Sequence, residues 1–151
     1  MIRRVPILAI AVALTACSTN LIVPAYDARL DTAVSSAHTA AAKITACIDL
    51  GLCATAESFA EQEANYIEAI ANLKTAGLIA GSLPASNDTA RASREDLVSF
   101  VDGCREQLVS LAQLHLAGQT KPELGMTQSV DVSCDQALRA AQAMKQGGDD
   151  D

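Results

Sequence analysis

Residues 26–51 read YDARLDTAVSSAHTAAAKITACIDLG, and this stretch decides the fold class. Leu30, Val34, Ala37, Ala41, Ile44 and Ile48 recur at alternating spacings of four and three, which places them on one face of an α-helix. Alanine is the best helix former and dominates the stretch, while Gly51 supplies a stop. The spacing therefore predicts a helix from Tyr26 to Leu50. Its small residues would let neighbouring helices approach closely.

Working outward, a second helix is expected from Thr55 to Ile79, with Thr55 as N-cap and Glu57 and Glu61 suited to the positive end of its dipole. Its apolar stripe reads Phe59, Tyr66, Ile67, Ile70, Leu73 and Leu78. Residues 81–88 read as a loop. A third helix begins between Asp88 and Ser93, where Ser93 and Asp96 approximate a capping box. Leu97, Val101, Cys104, Leu108, Leu111 and His115 form its stripe, and Gly118 ends it. Residues 119–132 read as a long connection containing Pro122 and Gly125. A shorter fourth helix is expected from about Ser133, with Leu138, Ala141 and Met144 inward. Only Val130-Asp131-Val132 hints at a strand, and it is too short. The fold class expected is all-α, an up-down bundle of four helices with the last one shorter.

The first sixteen residues have a different character. Arg3 and Arg4 precede an apolar run from Ile7 to Leu14, too short for the ~20 residues a membrane span needs. The order fits a signal peptide. It closes on Leu14-Thr15-Ala16-Cys17, which resembles the lipobox of bacterial lipoproteins: an aliphatic residue, two small ones, then cysteine. The resemblance covers residues 1–18. It implies cleavage before Cys17, a diacylglyceryl group on the Cys17 thiol, and an acyl chain such as palmitate on the new amino group. It also implies that Ser18 directs sorting to the outer membrane of a Gram-negative cell, with the chain held at the periplasmic face. Acyl anchoring is worth about 0.8 kcal/mol per buried CH₂, so a two-chain group holds a protein stably where a single chain does not.

The expected organisation is thus a signal peptide over 1–16, a lipidated tether over 17–25, a bundle domain over 26–146 and a disordered acidic tail over 147–151. Eight tether residues after Cys17 reach at most ~28 Å, which keeps the domain near the membrane. Leu21-Ile22-Val23 within the tether form an apolar patch. Cleavage leaves 135 residues, enough for one domain.

The chain carries 11 Lys and Arg against 18 Asp and Glu, and the signal peptide removes two of the arginines, leaving nine against eighteen and a net charge of −9. Such a domain is repelled by nucleic acids and anionic headgroups. Aromatic residues are limited to Tyr26, Phe59, Tyr66 and Phe100, with no Trp, which disfavours sugar platforms and base stacking.

With Cys17 used by lipid, Cys47, Cys53, Cys104 and Cys134 remain. An even set in an exported chain favours two disulfides, and four cysteines allow three pairings. Cys47 and Cys53 flank the link between the first two helices, so a bridge there would staple the hairpin. Cys104 and Cys134 would then join the third and fourth helices. Against this stands the position of Cys104 on an apolar stripe, where a free cysteine packs as a small hydrophobe.

Motifs that carry chemistry are few. Glu57-Ser58 followed by Gly125-Met126-Thr127-Gln128 faintly resembles the Glu-Ser and Gly-Leu-Met-Gln signatures of lytic transglycosylases, in which a buried Glu acts as general acid. Met and Thr stand where that family has Leu and Met, and an aromatic-lined glycan groove has no residues to build it. Glu57 is accounted for by the helix dipole. His38 and His115 are the only histidines, and Ser35 and Ala112 occupy the positions where a Glu-x-x-His metal motif needs glutamate. Cys47-x₅-Cys53 is not zinc spacing. The acidic run Asp149–Asp151 reads as a solvated tail. No nucleophile elbow, phosphate loop or dinucleotide fingerprint is present in the sequence.

These readings lead to an expectation of a non-catalytic envelope lipoprotein with no cofactor. Its bundle would meet an envelope protein or a second copy of itself. The alternative is a bundle holding a small apolar ligand between its helices.

Overall fold

The computed structural model describes residues 26–53, 55–120 and 125–148. Among these the chain forms α1 (Ala28–Asp49), α2 (Ala56–Ser82), α3 (Asp88–Leu116) and α4 (Met126–Gly148). Each helix packs on the next and α4 returns to α1, so the four close into an all-α up-down bundle.

Local chemistry starts and stops the helices. Asp27 caps α1, accepting a hydrogen bond from the Arg29 backbone N–H at 2.8 Å. The Arg29 guanidinium, hydrogen-bonded to the same carboxylate, is the main reason its pKa falls to about 2. Thr55 caps α2 through a reciprocal box in which Ser58, rather than an acid, returns the bond. Asn87 caps α3, so Ser93 and Asp96 lie inside the helix and not at its start.

The C-termini of α1 and α3 share one device. Gly51 and Gly118 take φ of +69° and +66°, conformations that favour glycine. In α1 the Leu52 N–H donates to the Cys47 carbonyl at 3.0 Å and the Gly51 N–H to Ile48 at 2.8 Å. In α3 the Gln119 N–H donates to Leu114 at 2.8 Å and the Gly118 N–H to His115 at 2.9 Å. Both are Schellman turns. The first folds the chain back so that Cys53 reaches Cys47.

Three expectations need correction. The fourth helix is not short: it begins at Met126 and has 23 residues, against 22 in α1. The connection after α3 is shorter by as much, because Gly125, at φ +63°, makes the turn and Met126, Thr127 and Val130 already pack inward. The helix also continues through Gly147 and Gly148, which the tail was expected to include. On α2 the expected stripe is partly wrong. Ile67 and Leu78 face solvent, while Ala69, Ala76 and Ala80 are buried beside Tyr66 and Leu73. The alanines allow a closer backbone approach than Ile or Leu, and the rotation of α2 follows them.

Alanine lines the core throughout. Ala33, Ala37, Ala40 and Ala41 of α1 face Ala-containing surfaces on α2 and α4, with Leu30, Ile44, Ile48, Leu73, Leu97, Leu108 and Leu111 filling the layers between. The α1–α4 contact is tied by polar bonds: Thr45 Oγ1 donates to Asp131 Oδ1 at 2.8 Å, and His38 Nε2 meets Asp135 Oδ1 at 2.8 Å. At the other end Arg94 donates to the Leu83 carbonyl at 3.0 Å. No helix among the described residues is long and apolar enough to cross a membrane.

The cysteines pair as Cys47–Cys53 and Cys104–Cys134, with Cα separations of 5.5 and 4.7 Å. The first staples the α1–α2 hairpin and the second joins the middles of α3 and α4. The pairs close loops of very different length, 6 and 30 residues. Replacing Cys104 and Cys134 together by Ala is expected to cost roughly 3–4 kcal/mol, and replacing Cys47 and Cys53 about 2 kcal/mol, on the chain-entropy account. Denaturant unfolding of the two double variants measures both, and equal losses would contradict that account.

Candidate functional site

The lower part of the α2–α3 contact, next to the Cys47–Cys53 hairpin, holds the principal buried polar cluster. His115, one turn before the Schellman stop of α3, is fully buried. Its Nε2 lies 3.0 Å from Ser58 Oγ and its Nδ1 3.2 Å from the Tyr66 hydroxyl. Ser58 Oγ donates to the Thr55 carbonyl at 2.7 Å. A hydroxyl has one proton to give, so Ser58 accepts from His115, whose proton sits on Nε2. Nδ1 is then the acceptor and Tyr66 the donor. Phe59 closes the cluster, edge-on to the imidazole with centroids 5.5 Å apart and stacked on Tyr66 at the same separation.

This arrangement sets the chemistry of the three groups. Burial pushes the His115 pKa below its ordinary value, against a smaller opposing effect from a hydrogen bond to the Thr55 backbone. Burial raises the Tyr66 hydroxyl. Ser58 and His115 stand at the spacing of a nucleophile and its base, but the proton inventory is reversed. The ring nitrogen facing Ser58 carries a hydrogen, and the serine proton is committed to a carbonyl. The cluster joins two helices and leaves no lone pair for proton abstraction at Oγ.

Outside this cluster, Phe59, Tyr66, Ile67, Ile70 and Ala71 of α2 and Ala112 of α3 line a groove of about 390 Å³ open to solvent, with Glu63 and Lys74 at its rim. Tyr66, held by its hydrogen bond to His115, and Phe59, stacked on Tyr66, form its floor. The groove runs along the outward face of α2 that the sequence pattern had assigned to the core.

The structure treats the sequence candidates differently. Cys17, Ser18, the tether and Asp149–Asp151 lie outside the described residues. The histidines do not meet: His38 of α1 bonds Asp135 of α4, whereas His115 faces α2. Asp135 is held below the usual carboxylate range, chiefly by the hydrogen bond from His38. Glu57 is exposed, and its pKa is lowered by its own backbone N–H and by Thr55. A general acid needs the opposite shift. Among the described residues no group of three or more His, Cys, Asp or Glu side chains is placed to hold a metal ion.

Sequence reasoning missed the Ser58–His115–Tyr66 cluster. Ser58 and His115 are 57 positions apart and share no motif. The position of His115 on an apolar stripe was the one available signal, because a buried imidazole needs partners. No protein-family model matches the chain, and neither does any curated protein or solved structure.

The buried imidazole makes stability depend on pH. Its folded pKa is depressed, so the unfolded chain binds the proton more readily below the ordinary value of about 6.5. Stability is therefore expected to fall as pH drops through and below about 6.5. In His115→Gln that part of the slope should vanish, although the variant is less stable at neutral pH. Denaturant midpoints across the pH series check this.

Proposed function

We propose that this chain is a lipid-anchored protein of the bacterial cell envelope, tethered through acylated Cys17 at the periplasmic face of the outer membrane. In this reading it has no catalytic role, and its bundle makes contact with another protein surface there. The observation that carries the reading is the division of the five cysteines. Four are consumed in two pairs that suit an oxidising compartment. The fifth stands alone at the end of a lipobox-like tetrapeptide.

The geometry of the bundle is compatible with that role. The chain enters at Tyr26, so the start of α1, the end of α2 and the start of α3 form the membrane-proximal end. The far end carries the disulfide hairpin with exposed Leu50 and Leu52, and Leu116 beside it. Exposed apolar groups gathered at one end and along α2 suit contact with a partner. The acidic balance keeps the domain off anionic headgroups, which leaves attachment to the lipid.

A second reading, binding of a small apolar ligand, draws on the groove beside Phe59 and Ile67. Its volume of about 390 Å³ falls in the range of ligand pockets. Native mass spectrometry with only the apo mass would count against it.

Intact-mass analysis of the mature protein under non-reducing conditions tests the main reading. The expected species begins at Cys17, carries the diacylglyceryl and acyl groups, and contains two disulfides. A mature chain without acyl groups, or one with four free thiols, removes the proposal.

A further inference from the structure

We propose that the Cys47–Cys53 bridge is a thiol–disulfide exchange site that takes two electrons from a dithiol, while Cys104–Cys134 stays closed and holds the bundle. The inference goes beyond the contact reading above and does not depend on the anchor.

The two bridges differ in what can reach them. Cys104 and Cys134 are 1% and 2% exposed and lie between α3 and α4. Cys53 is 1% exposed and belongs to the core. Cys47 is the one paired cysteine that is not buried, and it sits at the edge of that core in the last turn of α1. In exchange, a thiolate attacks one sulfur in line with the bond that breaks, and access decides which sulfur it is. With Cys53 inside and Cys47 at the edge, the line from Cys53 through Cys47 leads outward. Attack on Cys47 is open from solvent, whereas attack on Cys53 would have to come through the core.

Opening this bridge leaves the hairpin standing. The Leu52 and Cys53 N–H groups both donate to the Cys47 carbonyl, at 3.0 and 3.3 Å. Gln62 of α2 donates from Nε2 to Cys47 Sγ at 3.6 Å, a contact between the two helices that does not need the bridge. The Thr55–Ser58 box starts α2 independently of it. These bonds keep Cys53 beside Cys47 when the sulfurs part, so the reduced form stays poised to close again.

That proximity selects the reductant. The incoming thiolate forms a bond to Cys47 Sγ, the Cys47–Cys53 bond breaks, and its electron pair leaves on Cys53, which takes a proton from water. If the reductant is a monothiol, Cys53 attacks Cys47 from the same turn and expels it, and the intramolecular step wins. If it is a dithiol, its second thiolate attacks the sulfur already joined to Cys47, and Cys47 leaves and is protonated. The net reaction oxidises one dithiol to a disulfide and reduces the bridge to two thiols. The same chemistry serves a free dithiol and one carried by a protein.

The test uses the full chain, folded at neutral pH, with dithiothreitol as the free dithiol and reduced thioredoxin as the protein one. Iodoacetamide labelling and peptide mapping read each cysteine separately. Cys47 and Cys53 should be labelled roughly tenfold or more faster than Cys104 and Cys134, with the helical circular dichroism retained. At equal thiol concentration 2-mercaptoethanol should open the bridge roughly tenfold less. Opening by both dithiols assigns a protein source, and opening by dithiothreitol alone a free one. Without reductant, the thiol left at Cys47 in Cys53→Ser should react roughly tenfold or more faster than the thiol left at Cys53 in Cys47→Ser. The proposal is overturned if neither bridge opens, if both open at one rate, or if opening Cys47–Cys53 melts the helices. Equal reactivity of the two single-cysteine thiols, or a monothiol as effective as a dithiol, overturns it as well.

Discussion

Close approach of alanine-rich helix faces is the constraint on which the rest of this bundle depends. Ala33, Ala37, Ala40 and Ala41 bring the α1 backbone near both α2 and α4, and Ala69, Ala76 and Ala80 answer from α2. Small side chains contribute little apolar area each. The structure offsets this with dense packing and with leucine and isoleucine layers between the alanine rungs. The same choice turns α2 so that its alanines face inward, and this turn is what exposes Ile67 and Leu78. The apolar outer face of α2 is thus a consequence of how the core is packed.

Covalent and polar ties then hold specific helices in specific registers. The Schellman turn at Gly51 returns the chain so that Cys53 meets Cys47, joining α1 and α2. Cys104–Cys134 joins α3 and α4. The remaining two interfaces carry polar bonds: Ser58 and Tyr66 to His115 between α2 and α3, and His38 and Thr45 to Asp135 and Asp131 between α1 and α4. Every adjacent pair of helices therefore has a tie that is directional. An alanine-rich core has few large side chains to distinguish one register from the next. Directional bonds supply the distinction that shape alone provides in cores of bulkier residues.

The buried histidine illustrates how such a tie differs from a reactive site. Ser58 and His115 have a separation that catalysis could use, yet the Thr55 carbonyl takes the serine proton and fixes the imidazole as a donor. The rings of Phe59 and Tyr66 pack edge-on to the imidazole, and its burial pushes the His115 pKa below the ordinary value. Outside those rings lies the apolar groove. The interior tie and the exterior surface are two sides of the same pair of aromatic residues.

Much of the molecule was legible in the sequence because it depends on local rules. Helical periodicity located all four elements, Thr55 and Gly51 marked their ends, and the spacing of Cys47 and Cys53 around a tight turn anticipated their pairing. The stripe of α3 was read correctly from Leu97 to His115, because its buried residues keep one unbroken helical spacing. The start of α4 was misread because Pro122 and Gly125 suggested a long loop, and the helix begins directly after the glycine. On α2 the pattern was ambiguous in principle: it carries two apolar stripes, one with Tyr66, Leu73 and alanines, the other with Ile67, Ile70 and Leu78. Periodicity reports that a residue shares a face, and it is silent on which of two apolar faces has a neighbour. The sequence by itself determined the helices, the cysteine count and the acidic surface. Only the tertiary structure decided which side of α2 is buried and which partners His115 meets, because both depend on how closely a distant segment can approach.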